Sequence, residues 1–298
     1  MPAPLLLRQD SFSGSIATNG KSSLNLNVGR PIRAIYLLFL TSAGVAIARS
    51  AIETQCAKIG VYARNEPLVY ARPEYCHALL GNYPGAAGAD GAADDGVVRI
   101  PMYRRGIIPV YGGAVIDGES LRFGTRGPQG TNIPVRVEIE WATIATIAEV
   151  RCYVEYANTD DHEPGIFPRL VEVPQSGFGT SEESLSGLPL GDGRSLMAVH
   201  VDIPAAGVLS KVRVKEVGVT KWEVDQLLMS RVIKGSNKTP QTGFYHVDFL
   251  LAGMLNETLS LAPAANPQVQ MTWSTAPTSG QFISIFETIE QWGKTAGV

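Results

Sequence analysis

Apolar and polar residues alternate along many short segments of the chain. In VRVEIEW, residues 135–141, every second side chain is apolar and those between are charged. Side chains alternate between the two faces of a strand, so this pattern predicts a strand with one buried and one solvated face. The pattern recurs in residues 23–28, 211–217 and 268–273. Glycines and prolines cluster between these segments, as the tight turns of an antiparallel fold require. We therefore predict an all-β chain.

Only two segments favour a helix. In residues 72–83, Pro73 suits the first helical turn and Gly81 suits a C-terminal cap. In residues 219–235, four apolar side chains share one helical stripe and Gly235 can end the helix. These four side chains are Val224, Leu227, Leu228 and Val232.

The order of elements repeats along the chain. A strand, a helix and three further strands follow one another around residues 58–156, and again from residue 211 to the C-terminal region. An insertion in residues 106–130 explains the longer spacing in the first half. We infer an internal duplication of a β-sandwich that carries one flanking helix, and we see little residue identity between the halves.

A stretch in the middle of the chain predicts the boundary between the halves. Residues 158–193 are rich in Gly, Pro, Ser and acidic residues and show little periodicity. We assign them to a linker between an N-terminal domain, residues 1–157, and a C-terminal domain, residues 194–298. The Ala/Gly/Asp segment at residues 85–96 is interpreted as an exposed connection.

Composition narrows the possible functions. Charged residues make up only 18% of the 298-residue chain, against about 25% in typical soluble proteins, which favours a protein that hides surface in an assembly. The net charge is -3 and no run of Lys and Arg appears, so direct binding to nucleic acid is disfavoured.

Three further features indicate where the chain is made and how it is built. The N-terminal MPAPLLLRQD lacks the pattern of a secretory signal, so we expect intracellular synthesis and an arm that orders on assembly. The apolar run from Ala34 to Ala48 is too short for a membrane span and predicts two strands. Cys56, Cys76 and Cys152 are scattered, which favours buried thiols over disulfides or a zinc site.

A repeated tripeptide offers a candidate metal site. His200-Val201-Asp202 and His246-Val247-Asp248 could supply two His and one carboxylate, the ligand set of non-haem iron oxygenases, through His200, Asp202 and His246. The alternative interpretation places both pairs on solvated or interface faces, because apolar residues occupy the opposite face. We favour that alternative and predict no iron site. The dispersed His residues exclude the HxH pairs of a cupin.

Two weaker hypotheses concern calcium and glycans. Asp160, Asp161 and Glu163 could offer oxygen ligands to structural calcium, although their spacing is not that of a complete calcium loop. Four tryptophans could stack on sugars in a receptor- or glycan-binding β-sandwich: Trp141, Trp222, Trp273 and Trp292. Trp141 and Trp273 lie on apolar strand faces, so core packing is the better interpretation for those two.

The second half resembles a known family. KVRVKEVGVTKWEVDQLLMSRVIKG, followed by VDFLLAG, is similar to the second jelly roll of the major coat proteins of corticovirus-type, membrane-containing icosahedral bacteriophages. The first half is similar more loosely, through SLNLNVGRPIRAIYLL, the segment around Pro73, and RFGT before VRVEIEW.

This resemblance implies a double jelly roll, in which two tandem β-sandwiches each carry a flanking helix. It implies a non-enzymatic major capsid protein that forms pseudo-hexagonal homotrimers, which tile a virion shell over an internal membrane. Penton proteins and minor membrane-associated virion proteins would then be further partners, and no cofactor is expected.

Overall fold

The computed structural model describes residues 5–83, 96–102, 110–111, 114–115, 123–127, 130–158, 166–204, 206–236, 238–251 and 258–291. The strands, in chain order, are β1 (Leu5–Arg8), β2 (Lys21–Asn25), β3 (Ile32–Leu40), β4 (Cys56–Ala63), β5 (Glu66–Ala71), β6 (Val97–Pro101), β7 (Val110–Tyr111), β8 (Ala114–Val115), β9 (Val135–Trp141), β10 (Glu149–Tyr156), β11 (Ile166–Gln175), β12 (Glu182–Ser184), β13 (Arg194–Asp202), β14 (Val208–Glu216), β15 (Val219–Asp225), β16 (Phe244–Asp248), β17 (Leu259–Ser260), β18 (Gln268–Thr275) and β19 (Phe282–Gln291). The helices are α1 (Arg49–Gln55), α2 (Pro73–Tyr75), which continues as a π-helix over Cys76–Asn82, and α3 (Gln226–Gly235). No helix in these described ranges is long and apolar enough to cross a membrane.

The chain divides into two compact units. The first unit comprises residues 1–105 and 118–167, and the second comprises residues 106–117 and 168–298. In the first unit, β1, β10, β3 and β6 lie side by side in one sheet, and β5, β4, β9 and β2 lie side by side in another. The pairings resolved between these strands are antiparallel.

The second unit repeats this strand order. One of its sheets runs β11, β19, β13 and β16, and the other runs β12, β18, β14 and β15. Each unit has eight principal strands, which can be numbered from one to eight along the chain. In both units one sheet has the strand order 1, 8, 3, 6 and the other has the order 2, 7, 4, 5. Each unit is therefore a jelly roll, and the predicted all-β double jelly roll is confirmed.

Alternating apolar side chains build the core of each unit. In β9 every second residue is buried, as the sequence predicts. Trp141 is 2% exposed and packs edge-on against Phe39. In the second unit Trp273 is 1% exposed and its ring centre lies 5.1 Å from that of Phe282. The expectation that Trp141 and Trp273 pack in the core is confirmed.

The three cysteines are free and buried, as predicted. Burial raises the pKa of the Cys76 thiol to about 12 and that of Cys152 to about 12, and it also raises the pKa of Cys56. All three thiols therefore remain protonated at neutral pH and pack as small apolar side chains.

The first predicted helix is present, although its end differs from the prediction. Pro73 occupies the first turn, as expected. Gly81 is buried inside the π-helix rather than capping it, because the segment continues to Asn82. Helix α1 was not predicted. The second strand expected before Ala48 is reduced to a single bridge between Leu40 and Ala46, because the chain turns into α1 directly afterwards.

The second predicted helix is wrong over its first seven residues. Val219–Asp225 forms β15, which pairs with β14 through the tight turn at Val217 and Gly218. Helix α3 begins only at Gln226. The half-buried Trp222 and Val224 lie two positions apart, a strand spacing that the helical interpretation overlooked.

The middle of the chain also differs from the predicted linker. Residues 158–193 contain β11 and β12, and from Pro168 onward they belong to the second unit. Leu170 is fully buried there. The prolines at positions 168 and 174 weakened the sequence signal, because Pro is depleted in strands. At the N-terminus, Leu5–Arg8 forms β1 and pairs with β10.

Candidate functional site: a buried histidine cluster

The two histidines of the repeated tripeptide lie directly opposite each other. His200 in β13 pairs in register with His246 in β16. Their Nδ1 atoms are 2.7 Å apart, and the two residues are 0% and 2% exposed. Sequence analysis favoured solvated or interface faces for both tripeptides, and this is wrong for the two histidines. The apolar Val199 and Val201 do face the core of the unit, as the alternation implied.

Hydrogen bonding determines which nitrogens of this pair carry protons. The backbone N–H of Gln241 donates to Nε2 of His246 at 2.9 Å, so that nitrogen is an acceptor. A neutral His246 must then carry its proton on Nδ1 and donate it to Nδ1 of His200. His200 in turn carries its proton on Nε2, which lies 3.4 Å from Oε2 of the buried Glu287. The cluster is a chain of directed hydrogen bonds that leads to a buried carboxylate.

The two aspartates of the tripeptides differ in their surroundings. Asp248 is fully buried and binds Nζ of Lys238 at 2.8 Å, while its other carboxylate oxygen accepts the backbone N–H of Leu250. Asp202 is only half-buried. The second tripeptide therefore belongs to a buried ion pair, and this distinction could not be predicted because both tripeptides read as His-Val-Asp.

The histidine pair has a geometry that suits a hydrogen bond rather than a metal ion. At 2.7 Å, one Nδ1 can donate its proton to the other. No group of three or more His, Cys, Asp or Glu residues that could hold a metal is found among the residues the structure describes. His200, Asp202 and His246 therefore gain no support here as an iron site.

The weaker candidate sites are less well defined. Asp160, Asp161 and Glu163 lie outside the described residues, so the calcium hypothesis stays a prediction. Among the tryptophans proposed to stack on sugars, Trp222 packs against Phe249, with 5.3 Å between their ring centres. Trp292 lies outside the described residues. The two buried tryptophans cannot present a face to a sugar.

A second buried charge cluster was missed by sequence reasoning. Glu290 is 1% exposed and makes ion pairs with Arg169 and Arg194. The Arg194 pair is 3.0 Å long, and Arg169 is itself only 6% exposed. A charged residue in a strand usually indicates the wet face, so no sequence signal distinguishes such a buried pair from a surface one.

Comparison with known proteins shows what this architecture belongs to. Residues 167–292 match the family model described as viral coat protein P2 C-terminal domain, which covers nearly all of the second unit. The second unit is a viral coat protein domain. No curated protein matches the chain in sequence. This match agrees with the resemblance drawn from the sequence of the second half.

Solved structures extend this likeness to the whole length of the chain. The major capsid protein P2 of bacteriophage PM2 is 13% identical, with a TM-score of 0.74 over 99% of this chain and 100% of that one. The STIV MCP is 11% identical, with a TM-score of 0.59 over 99% and 100%. The PBCV-1 virus capsid is 10% identical, with a TM-score of 0.60 over 99% and 97%. At these identities the likeness establishes the fold, and both jelly rolls are shared.

Proposed function

We propose that this coat protein is the major capsid subunit of a tailless bacteriophage and that it works as a homotrimer. The observation that carries the proposal is the repeated strand order, because one chain contains two sandwiches of the same plan. Three such chains supply six similar modules, which is what a pseudo-hexagonal tile requires. The lineage of the PM2, STIV and PBCV-1 capsid proteins supports this use of the fold.

The proposed role is structural rather than catalytic. The buried histidine cluster and the buried ion pairs hold strands of the second unit together, and the polar groups in them are directed at one another. Such networks favour one strand arrangement, because a displaced strand would leave charges buried without partners. In a shell subunit this specificity keeps every tile the same shape.

We further propose that trimers tile an icosahedral shell that encloses a membrane. Penton proteins would close the fivefold positions, and minor membrane-associated virion proteins would link the shell to the bilayer. The net charge of -3 supports a shell that does not touch the genome, because a protein that binds nucleic acid directly gains from a basic face.

Electron microscopy of the purified coat protein on a lipid monolayer tests the proposal. We expect two-dimensional arrays of pseudo-hexagonal particles, each made of three chains. The glycan-binding alternative predicts dispersed particles and specific capture on a sugar surface. The oxygenase alternative predicts stoichiometric iron that is lost in His246→Ala. Dispersed monomers on the lipid monolayer would contradict the capsid role.

A further inference from the structure

Exposed apolar side chains are concentrated in two short segments of the chain. Twelve large apolar side chains are exposed in the part of the chain that the structure describes, and eight of these lie in the two segments. One segment is β1 in the first unit. The other, here named the β15–α3 surface, comprises the turn before β15, β15 itself and α3. The eight residues are Leu5, Leu6, Leu7, Val217, Val219, Leu227, Leu228 and Val232.

Helix α3 is apolar on two opposite sides. Met229 and Ile233 point inward and are each 1% exposed. Leu227 and Leu228, which sequence analysis placed on the buried stripe, point outward and are 68% and 54% exposed. Charged side chains interrupt this outward side, yet large apolar side chains grouped on one exposed surface are typical of an interaction site. The outward side of α3 therefore indicates a surface that another molecule covers.

Both segments also carry an open strand edge. Among the described strands of the two units, β15 ends its sheet and pairs with β14, and β1 ends its sheet and pairs with β10. All four residues of β1 are exposed, and five of the seven residues of β15 are exposed. An exposed apolar edge strand is a template for pairing with another chain, and proteins that remain monomeric usually protect such edges.

The duplication explains why these two segments belong together. β1 and β11 are the first strands of their units, and β5 and β15 are the fifth. In β11 and β5 several apolar side chains are buried, including Phe167, Leu170 and Leu68. The counterparts β1 and β15 are open. The first-strand position is thus buried in the second unit and exposed in the first, and the fifth-strand position is buried in the first unit and exposed in the second.

We propose that β1 of one copy docks on the β15–α3 surface of a neighbouring copy. This inference rests on the proposed trimer and identifies the contact that builds it. A ring of identical chains needs two different surfaces on each copy that fit each other, and the chain exposes two. Adding β1 to the open edge of β15 would extend a sheet between copies, while its leucines cover the apolar side of α3. Repeating the contact three times closes the ring.

Substitutions on either surface test this contact. Leu228→Asp removes the apolar side of α3, and Leu6→Asp charges β1. Both side chains are more than half exposed, so the fold of each chain should persist. Each variant is expected to shift from trimer to monomer, with at least a tenfold higher dissociation concentration by light scattering. Val45→Asp and Leu190→Asp, which are exposed outside both surfaces, should remain trimeric.

Mixing the two variants gives a sharper result. Leu6→Asp chains keep an intact β15–α3 surface, and Leu228→Asp chains keep an intact β1. One native contact can therefore form between them, and an equimolar mixture should contain a 1:1 dimer that neither variant forms alone. Leu228→Gln and Leu6→Gln repeat the measurement with a milder change, should an Asp variant unfold.

The outcomes separate this inference from the proposed function. A wild-type trimer that both surface variants leave intact, or controls that dissociate as readily as the variants, would overturn the docking while the trimer stands. A wild-type monomer would contradict the trimer itself. Monomeric variants whose mixture forms no dimer would also overturn the pairing of β1 with β15–α3.

Discussion

The Nδ1 atoms of His200 and His246 face each other at 2.7 Å across two antiparallel strands in the interior of the second unit. The amide of Gln241 orients this pair from one side, and the carboxylate of Glu287 faces it on the other. Three strands, β13, β16 and β19, and the loop before β16 thus meet through one chain of hydrogen bonds. The arrangement makes the pair a structural element of the sheet.

The histidine pair should be energetically coupled. His246→Phe keeps an aromatic ring but removes the acceptor of the Gln241 amide and the hydrogen bond to Nδ1 of His200, so the free energy of unfolding should fall by about 1–3 kcal/mol. In the double variant His200→Phe/His246→Phe both partners of the central hydrogen bond are gone, and the loss should be at least ~0.5 kcal/mol smaller than the sum of the single losses. Urea unfolding of the four proteins measures this coupling, and strictly additive losses would contradict it.

Acid should destabilise the first unit through His77. Burial, together with the nearby Arg49, lowers the pKa of His77 to about 4, and Nε2 of the ring is buried without a hydrogen-bond partner. The unfolded chain takes up a proton near pH 6.5 and the folded chain does not, so this stability is present above pH 6.5 and is lost as the pH falls towards 4.

The pH dependence of His77→Leu provides the measurement. At pH 5 the wild type should have lost about 2 kcal/mol relative to its own value at pH 7.5, beyond any loss in the Leu variant. Chemical unfolding at several pH values compares the two slopes. Parallel curves for the wild type and the variant between pH 7.5 and pH 4.5 would show that His77 does not titrate as described.

The same substitution should have different effects at two glutamates. Glu290→Gln removes the charge that buried Arg169 faces, and breaking a buried ion pair costs about 3–5 kcal/mol. Glu223→Gln removes a partner of Arg213 at 2.6 Å on a solvated strand, where such pairs contribute little to stability. Thermal and urea unfolding of both variants give the comparison. Equal losses would mean that the Glu290 cluster is not specially stabilising.

The fold was predictable where residues alternate regularly, and less so elsewhere. β9 and β18 follow the period-2 pattern and were predicted correctly. β11 was missed because its prolines interrupt that pattern. β15 was taken for a helix because Val224 also fits the apolar stripe that continues into α3. In each case the strand is stabilised by neighbouring strands that are distant in sequence, and a pattern of nearby residues carries no information about them.

The site was less predictable than the fold. The sequence singled out His200 and His246 as a pair, since the tripeptide repeats, but the same residues fit ligands, surface groups and a buried hydrogen bond equally well. Only their register placed the two residues directly opposite each other. The outward orientation of Leu227 and Leu228 could not be predicted either. An apolar stripe indicates that one side of a helix is buried, but it does not indicate whether the same chain or another molecule covers that side.

The solution mass of the purified protein tests the central claim most directly. Multi-angle light scattering across a dilution series should show one species at three times the chain mass of 31.9 kDa, stable over the range measured. Such a species is what a trimeric coat protein requires, since its contacts must persist before the shell is assembled. A protein that elutes at the mass of a single chain at every concentration would contradict the account.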